Sequence, residues 1–310
     1  MAATVVAVVF LGSAATVWGP VGAFSAQPPV QPDDISLASV PDAASIGADV
    51  TNPGHELAIK IVAPGQEGLE LSARLTDDGG IIERNISWTI RNADGDTVFS
   101  GDTAVADVSV PPGDYAVDVR YGAARLASTI TLLDGNRVNV SFVLNAGGLR
   151  VLPRVRDIGL PVAGSEARIF ALGGRQNGQL VAVSEIPGEI LRVPEGDYRV
   201  ESRFASGNAR AVIDVHVKAG RMSAVDVDHK AGVARLAFVG SPSADVNWRV
   251  ADRDGQPVAT AKGLNADIVL VPGTYTASAN VGGEVLTATF DIDTGQARDI
   301  ILGNRGDPHP

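Results

Sequence analysis

The chain has 310 residues, of which 45% are hydrophobic and 20% charged, and its formal net charge at pH 7 is −11. This length can hold two or three domains, and the apolar share is too high for an intrinsically disordered chain. The negative charge and the lack of basic clusters argue against nucleic-acid binding, because phosphate contacts need grouped Lys and Arg side chains. The chain contains no cysteine, which excludes disulfides, thiolate metal sites and a cysteine nucleophile.

The N-terminal segment is apolar and uncharged from residue 2 to residue 26. A break at Gly19-Pro20 is followed by Ala23-Phe24-Ser25, which offers the small residues that a signal peptidase reads. We predict that residues 1–26 are a signal peptide, with an uncleaved membrane anchor as the alternative, since about 20 apolar residues can span a bilayer. Residues 27–56, rich in Pro, Ala, Asp and Ser, are predicted to be a flexible spacer.

From Leu57 onward, short runs of alternating apolar and polar residues are separated by turns that contain Gly, Pro or Asp. Alternation with a period of two is typical of β-strands that bury one face. The runs predict an additional edge strand near residues 57–61 and about seven further strands between residues 69 and 144. No stretch has the period of an α-helix.

One turn-and-strand motif occurs three times. Its copies are Val110-Pro111-Pro112-Gly113-Asp114-Tyr115, Val193-Pro194-Glu195-Gly196-Asp197-Tyr198 and Val271-Pro272-Gly273-Thr274-Tyr275. The Gly and Tyr landmarks recur after 83 residues and again after 77 residues. A hairpin turn moves by the same offsets, as Asp94-Gly95, Asn177-Gly178 and Asp254-Gly255. Constant offsets of several landmarks indicate tandem repeats.

The repeats predict three tandem, seven-stranded, antiparallel β-sandwiches. Strands with one buried face must close on a second sheet, and about eighty residues with seven strands match the size of an immunoglobulin domain. We predict sandwiches at residues 57–146, 147–231 and 232–303, followed by a polar tail at residues 304–310. The near-absence of linkers between them predicts a rod.

The aromatic residues of the repeats are predicted to be structural. Trp88 and Trp248 occupy corresponding core positions, and the middle copy offers Phe170 near that place. Each Pro/Gly turn followed by Tyr predicts a tyrosine corner, in which the ring packs inside and the hydroxyl bonds to upstream backbone. The predicted corner and core residues are Gly113, Tyr115, Gly196, Tyr198, Gly273, Tyr275, Trp88 and Trp248.

The motifs at residues 111–119 and 194–200 resemble the small β-sandwich modules of bacterial envelope proteins. These include carboxypeptidase-regulatory-like, prealbumin-like and bacterial Ig-like modules, and the resemblance covers about residues 57–303. It implies an Ig-like or prealbumin-like fold in modules that serve as spacers, assembly elements or binding domains. Some pilin relatives carry Lys–Asn isopeptide crosslinks. The opening strands of the second and third repeats contain no Lys, which speaks against that crosslink in this chain.

No motif for catalysis or for a cofactor occurs in the chain, so we predict that it is not an enzyme and has no cofactor. The Asp-rich turns at residues 92–96 and 252–255 leave calcium binding open. They lack the bidentate Glu that an EF-hand-type loop needs, and hairpin turns favour Asp and Gly for conformational reasons.

The leading prediction is a non-enzymatic, exported cell-envelope protein, periplasmic or extracellular, that acts as a structural spacer or protein-interaction module. It would be anchored in the inner membrane if residues 1–26 are not cleaved, and it would contact the membrane only there. The alternative is a carbohydrate- or peptide-binding protein that uses one sandwich face or its end loops. The outward residues Arg199, Glu201 and Arg203 are the candidate partner surface, and an envelope protein or glycan is the expected partner.

Overall fold

The computed structural model describes residues 55–158, 164–240 and 245–303. The predicted signal or anchor, nearly all of the predicted spacer and the polar tail lie outside these ranges. Within them the chain consists of 22 β-strands and one short 3-10 turn at Gly174–Gln176, without an α-helix. The all-β prediction is therefore confirmed. None of the described residues belongs to a helix with the length and apolar character that a membrane crossing requires.

Strands β1–β8 form the first sandwich. They are β1 (His55–Ile61), β2 (Gly68–Arg74), β3 (Ile86–Arg91), β4 (Thr97–Gly101), β5 (Val105–Ser109), β6 (Gly113–Tyr121), β7 (Ala124–Leu132) and β8 (Asn136–Val143). One sheet has the order β4-β3-β6-β7 and the other the order β1-β8-β2-β5. Strand β1 is the additional edge strand expected from the sequence.

Strands β9–β15 form the second sandwich. They are β9 (Ala146–Val155), β10 (Ser165–Leu172), β11 (Leu180–Ser184), β12 (Ile190–Pro194), β13 (Gly196–Phe204), β14 (Arg210–Val217) and β15 (Met222–His229). Its sheets are β11-β10-β13-β14 and β12-β9-β15.

Strands β16–β22 form the third sandwich. They are β16 (Gly232–Val239), β17 (Val246–Asp252), β18 (Pro257–Lys262), β19 (Asn265–Leu270), β20 (Gly273–Val281), β21 (Glu284–Ile292) and β22 (Ala297–Gly303). Its sheets are β18-β17-β20-β21 and β19-β16-β22. We call the four-stranded sheet that contains β6, β13 or β20 the corner sheet of its sandwich.

Each sandwich departs from a purely antiparallel arrangement at one pair of strands. The pairs β2–β8, β9–β15 and β16–β22 are parallel, whereas all other strand pairs are antiparallel. In the second and third sandwiches the parallel pair joins the opening strand to the closing strand, and in the first it joins β2, the strand after the additional edge strand, to the closing strand β8. A hairpin can connect only antiparallel neighbours, so the chain has to pass through the corner sheet before it returns beside its starting strand.

The two sheets of each sandwich enclose a hydrophobic core. In the first sandwich, Leu69 and Leu71 of β2 are buried together with Trp88 and Val119 of the corner sheet. Corresponding clusters fill the second and third sandwiches. The inward residues alternate with outward ones, which is the period-two pattern seen in the sequence.

The middle copy does not place Phe170 where the other copies have tryptophan. Trp88 pairs with Val119 and Trp248 with Ala279, and the matching pair in the second sandwich is Ala167 with Ser202. Phe170 instead pairs with Arg199, an outward position. The expectation for Phe170 was therefore wrong.

Candidate interaction surfaces

The three tyrosines of the repeated motif make the same hydrogen bond. Each hydroxyl donates to a backbone carbonyl four residues upstream, at 2.6 Å for Tyr115 to Pro111, 2.7 Å for Tyr198 to Pro194 and 2.9 Å for Tyr275 to Val271. All three rings are buried. Burial raises the pKa of Tyr198 to about 12 and also raises the pKa of Tyr115. This geometry is that of a tyrosine corner and leaves the hydroxyls engaged in structure.

The glycines of the motif open the strands that carry the tyrosines. Gly113, Gly196 and Gly273 are the first residues of β6, β13 and β20. A Cβ atom at these positions would lie between 3.5 and 3.9 Å from the nearest atom of the tyrosine ring, which is ordinary contact distance. Contact with the ring therefore does not require glycine at the start of the strand.

Trp88 and Trp248 are core residues with equivalent polar contacts. Each indole N–H donates over 2.9 Å to a carbonyl oxygen 15 residues downstream, that of Thr103 or Gly263. Both side chains are buried, and the Trp88 ring lies 5.9 Å from the ring of Phe142. A buried and hydrogen-bonded indole stabilises its core.

The candidate partner surface of the second sandwich lies on the outer face of its corner sheet. Arg199 makes two hydrogen bonds of 2.9 Å to Asp214, and Arg203 lies 2.7 Å from Glu166. Hydrogen bonding to these arginines lowers the pKa of both Asp214 and Glu166. Glu201 lies between the two arginines on β13. The cations of this face therefore have carboxylates of the same face beside them, and its role in binding stays a prediction.

The first sandwich carries a similar arrangement around Asp118. This residue is nearly buried on β6 and forms ion pairs with Arg120, at 3.0 Å, and with Arg125. Asp118 lies three residues after the corner Tyr115, as Glu201 does after Tyr198. The centre of the corner sheet thus carries a carboxylate in both of these sandwiches.

The third sandwich has Ser278 at that position, three residues after Tyr275. The outer face of its corner sheet forms a cleft of about 750 Å³. Arg249 and Lys262 are the only charged residues among the described residues that line it, and polar side chains make up much of the remainder. Neither cation forms an ion pair within the described part of the chain. This face differs in charge from its two counterparts.

The Asp-rich turns, for which calcium binding was left open, are held by their own side chains. The Asn92 side-chain oxygen accepts from the Asp96 amide at 2.8 Å, and the Asp252 carboxylate accepts from the amides of Asp254 and Gln256 at 3.0 and 2.8 Å. Over residues 55–158, 164–240 and 245–303, no group of three or more His, Cys, Asp or Glu side chains is placed to hold a metal ion. These hydrogen bonds explain why Asn and Asp occur in the turns.

A buried histidine, which the sequence did not single out, lies where the second and third sandwiches meet. His229 ends β15 and is fully buried, with its Nε2 atom 3.0 Å from the Ser202 hydroxyl. Its ring centroid lies 4.6 Å from that of Phe204, and its Nδ1 atom has no hydrogen-bond partner. Burial lowers the pKa of His229 to about 4. The side chain is enclosed and neutral, which suits a structural role.

Comparison with known proteins gives one family match and several distant structural likenesses. Residues 238–302 match a family described as the Rhizobiales growth-associated tandem repeat domain. No curated protein sequence matches the chain. The family match therefore falls within the third sandwich and covers only a minor part of the chain.

Three of the similar solved structures are of bacterial proteins. The Bacillus anthracis TIE protein is 16% identical, with a TM-score of 0.25 over 77% of this chain and 50% of that chain. A streptococcal ancillary pilin is 10% identical, with a TM-score of 0.28 over 77% of this chain and 99% of that one. GBS52, a minor pilin of Streptococcus agalactiae, is 13% identical, with a TM-score of 0.23 over 54% of this chain and 98% of that one. The present chain thus spans half the length of the TIE protein.

Proposed function

We propose that this protein is a non-enzymatic, exported component of the bacterial cell envelope whose three sandwiches act as a spacer or protein-interaction module. The observation that carries the proposal is the direct connection between successive sandwiches. Only Leu144 and Asn145 separate β8 from β9, and only Lys230 and Ala231 separate β15 from β16. Connections of two residues restrict how far neighbouring sandwiches can turn relative to each other.

Contacts across the first junction support this rigidity. The Ala123 amide donates to the Arg192 carbonyl at 2.8 Å, and the Glu195 amide donates to the Asn145 carbonyl at 2.7 Å. The guanidinium of Arg192 lies 5.3 Å from the centroid of the Tyr121 ring, within cation–π range. The turn between β6 and β7 of the first sandwich is therefore bonded to β12, the strand before the tyrosine corner of the second sandwich.

The second junction has both polar and apolar contacts. Asn208 of the second sandwich accepts from the Val271 amide at 2.9 Å and donates to the Tyr275 hydroxyl at 3.1 Å. The two sandwiches also share a small buried cluster of Val155, Phe204, Ala209, Ala231, Val233 and Val269. An apolar cluster shared by two domains opposes their free movement, because separation would expose it to water.

Export and the absence of catalysis are further parts of the proposal. The apolar segment at residues 1–26 supports export, although it lies outside the described residues. The match of residues 238–302 to a tandem repeat domain named for growth in Rhizobiales supports a bacterial repeat protein. Under this proposal, the structural units are residues 57–146, 147–231 and 232–303.

A reporter enzyme that is active only outside the cytoplasm tests export. Fused after residue 303, the reporter should be active, and an inactive fusion would contradict export.

Small-angle scattering of the whole chain tests the spacer proposal. Each sandwich is about 30 Å long, so a rod of three gives a dimension of about 100 Å for the folded part. A matched control carries flexible Gly-Ser insertions after Asn145 and Lys230, which should broaden the distance distribution. A compact globule, or a distribution that the insertions leave unchanged, would overturn the proposal.

A further inference from the structure

We propose that the outer face of the third corner sheet binds an acidic polysaccharide, with Arg249 and Lys262 contacting its carboxylates. The strand register places these residues in two adjoining rows across the sheet. One row contains Lys262, Asn247, Asn280 and Val285, and the next contains Thr260, Arg249, Ser278 and Thr287. Arg249 and Lys262 are thus diagonal neighbours, a relation that separates side chains by about 7–8 Å. Two cations at this spacing can contact anionic groups of one extended chain.

Arg249 lacks the neutralising partner that its counterpart in the second sandwich has, and Lys262 has no ion pair with the described residues. Arg168 occupies the register position of Arg249 in the second sandwich, opposite Glu201, and it lies 3.7 Å from Glu166. In the third sandwich the opposite residue is Ser278. Asp245, further along the face, does not line the cleft and is not ion-paired to either cation. On a chain with a net charge of −11, this cleft is a local site of positive charge.

The polar groups around the cations favour a sugar polymer as the occupant. Hydroxyl groups of Thr260 and Ser278 line the cleft, together with the amides of Asn247 and Asn280. One end of each amide is already used, since Asn247 donates to the Asp245 carbonyl at 3.3 Å and Asn280 accepts from the Gly283 amide at 3.2 Å. The remaining oxygen of Asn247 and nitrogen of Asn280 have no partner within the described residues. An acceptor and a donor beside hydroxyl groups are suited to the hydroxyls of a sugar.

A peptide is a poorer match to this face. Peptides are commonly bound by adding a strand to a sheet edge or by placing side chains in apolar pockets. The two cations and the polar groups around them lie on the face of the sheet. The apolar residues that line the cleft are Ala251, Ala261, Val285 and Trp248, whose side chain is buried in the core. Carboxylates of a ligand would pair with the two cations, and hydroxyls of a ligand would hydrogen-bond to the amides and hydroxyl groups of the cleft. An acidic polysaccharide carries both kinds of group.

Affinity measurements with the full chain and polygalacturonate test the proposal, with neutral dextran as the uncharged polymer. We expect at least about tenfold tighter binding to polygalacturonate than to dextran, and weakening in high salt. Arg249→Gln and Lys262→Gln should each weaken binding several-fold. Ser278→Asp introduces a carboxylate at the position where the first sandwich has Asp118. This substitution should weaken the binding of polygalacturonate by about tenfold or more. Arg168→Gln is the matched control and should leave the affinity within about twofold.

Melting temperatures of all variants should match that of the unmodified chain, because the four residues lie on an outer face. Equal binding of dextran and polygalacturonate, no binding of either, or equal losses in Arg168→Gln and Arg249→Gln would each overturn the proposal. Polyglutamate and polyphosphate serve as anionic polymers without sugar. If either binds the same face as tightly as polygalacturonate, the site recognises anionic charge and the assignment to a polysaccharide is wrong. None of these results bears on the scattering test of the spacer.

Discussion

Protonation of His229 should weaken the contact between the second and third sandwiches. The imidazole is fully buried, bonded through Nε2 to Ser202 and packed against Phe204, and its Nδ1 atom has no partner. The charge of Asp228, the residue before it in the chain, acts to raise the pKa of His229, but the lowering by burial is larger. A charged imidazolium would place a second N–H donor in an apolar cluster, where it has no acceptor.

The sign and size of the effect follow from the two pKa values. Burial lowers the pKa of His229 from 6.5 to about 4 in the folded protein. The folded state therefore binds the proton less readily than the unfolded state, and the free energy of unfolding falls as the pH drops from about 6.5 to about 4. Below that range the loss is complete, and it amounts to about 3 kcal/mol at about 1.4 kcal/mol per pKa unit. Above about pH 6.5 the residue has no effect on the pH dependence.

Urea unfolding followed between pH 7 and pH 4 measures this loss. His229→Gln keeps a polar group near Ser202 but does not titrate, so the difference between its curve and that of the unmodified chain isolates the imidazole. His216→Gln is the control, since His216 is an exposed histidine 2.8 Å from Asp197. Hydrogen exchange should show the loss of protection first around β15 and β16. Parallel curves for the unmodified chain and His229→Gln, or an NMR titration of His229 near pH 6.5, would refute the reasoning.

Two further predictions concern the corners and the second junction. Tyr115→Phe should lower the free energy of unfolding by about 1 kcal/mol through loss of one hydrogen bond. Tyr275→Phe should cost about twice as much, because the Asn208 amide also loses its acceptor. Calorimetry that finds equal effects would contradict the role of Asn208. Gly207→Ala should disrupt the second junction, since Gly207 has φ +120° and a Cβ would lie 1.8 Å from a carbonyl oxygen of the third sandwich. Gly263→Ala, with φ +105° and open space around the Cβ, is the control and should keep the junction protected in hydrogen exchange.

The sequence predicted the strands and corners because both depend on local patterns. Alternation of apolar residues defines a buried face, and Pro, Gly and Tyr at fixed spacing define a turn and its anchor. The parallel closing pairs were not predicted, because strand order depends on contacts between distant residues. Phe170 was placed wrongly because the 3-10 turn at Gly174–Gln176 and the register shift at Ile169/Phe170 alter the local alignment.

The features that distinguish the three sandwiches depend on register across strands. The ion pairs of Asp118 and of Arg203 join residues on neighbouring strands, and a single sequence does not show which residues lie opposite each other. His229 alternates along β15 like an ordinary strand residue, and it packs against Phe204, which belongs to the buried cluster shared with the third sandwich. That cluster is a contact between repeats, which the pattern within one repeat cannot reveal.

The corner motif gives each repeat one outward position that can change without affecting the core. The buried tyrosine fixes the start of its strand, so the residue three positions later points outward at the centre of the corner sheet. With Asp118 or Glu201 at this position the face contains a central carboxylate, whereas Ser278 leaves Arg249 without one. The inward residues beside it, Val117, Val200 and Ala277, are buried in all three sandwiches. A tandem array can therefore change the charge of one outer face by a single outward substitution while every repeat keeps the same fold.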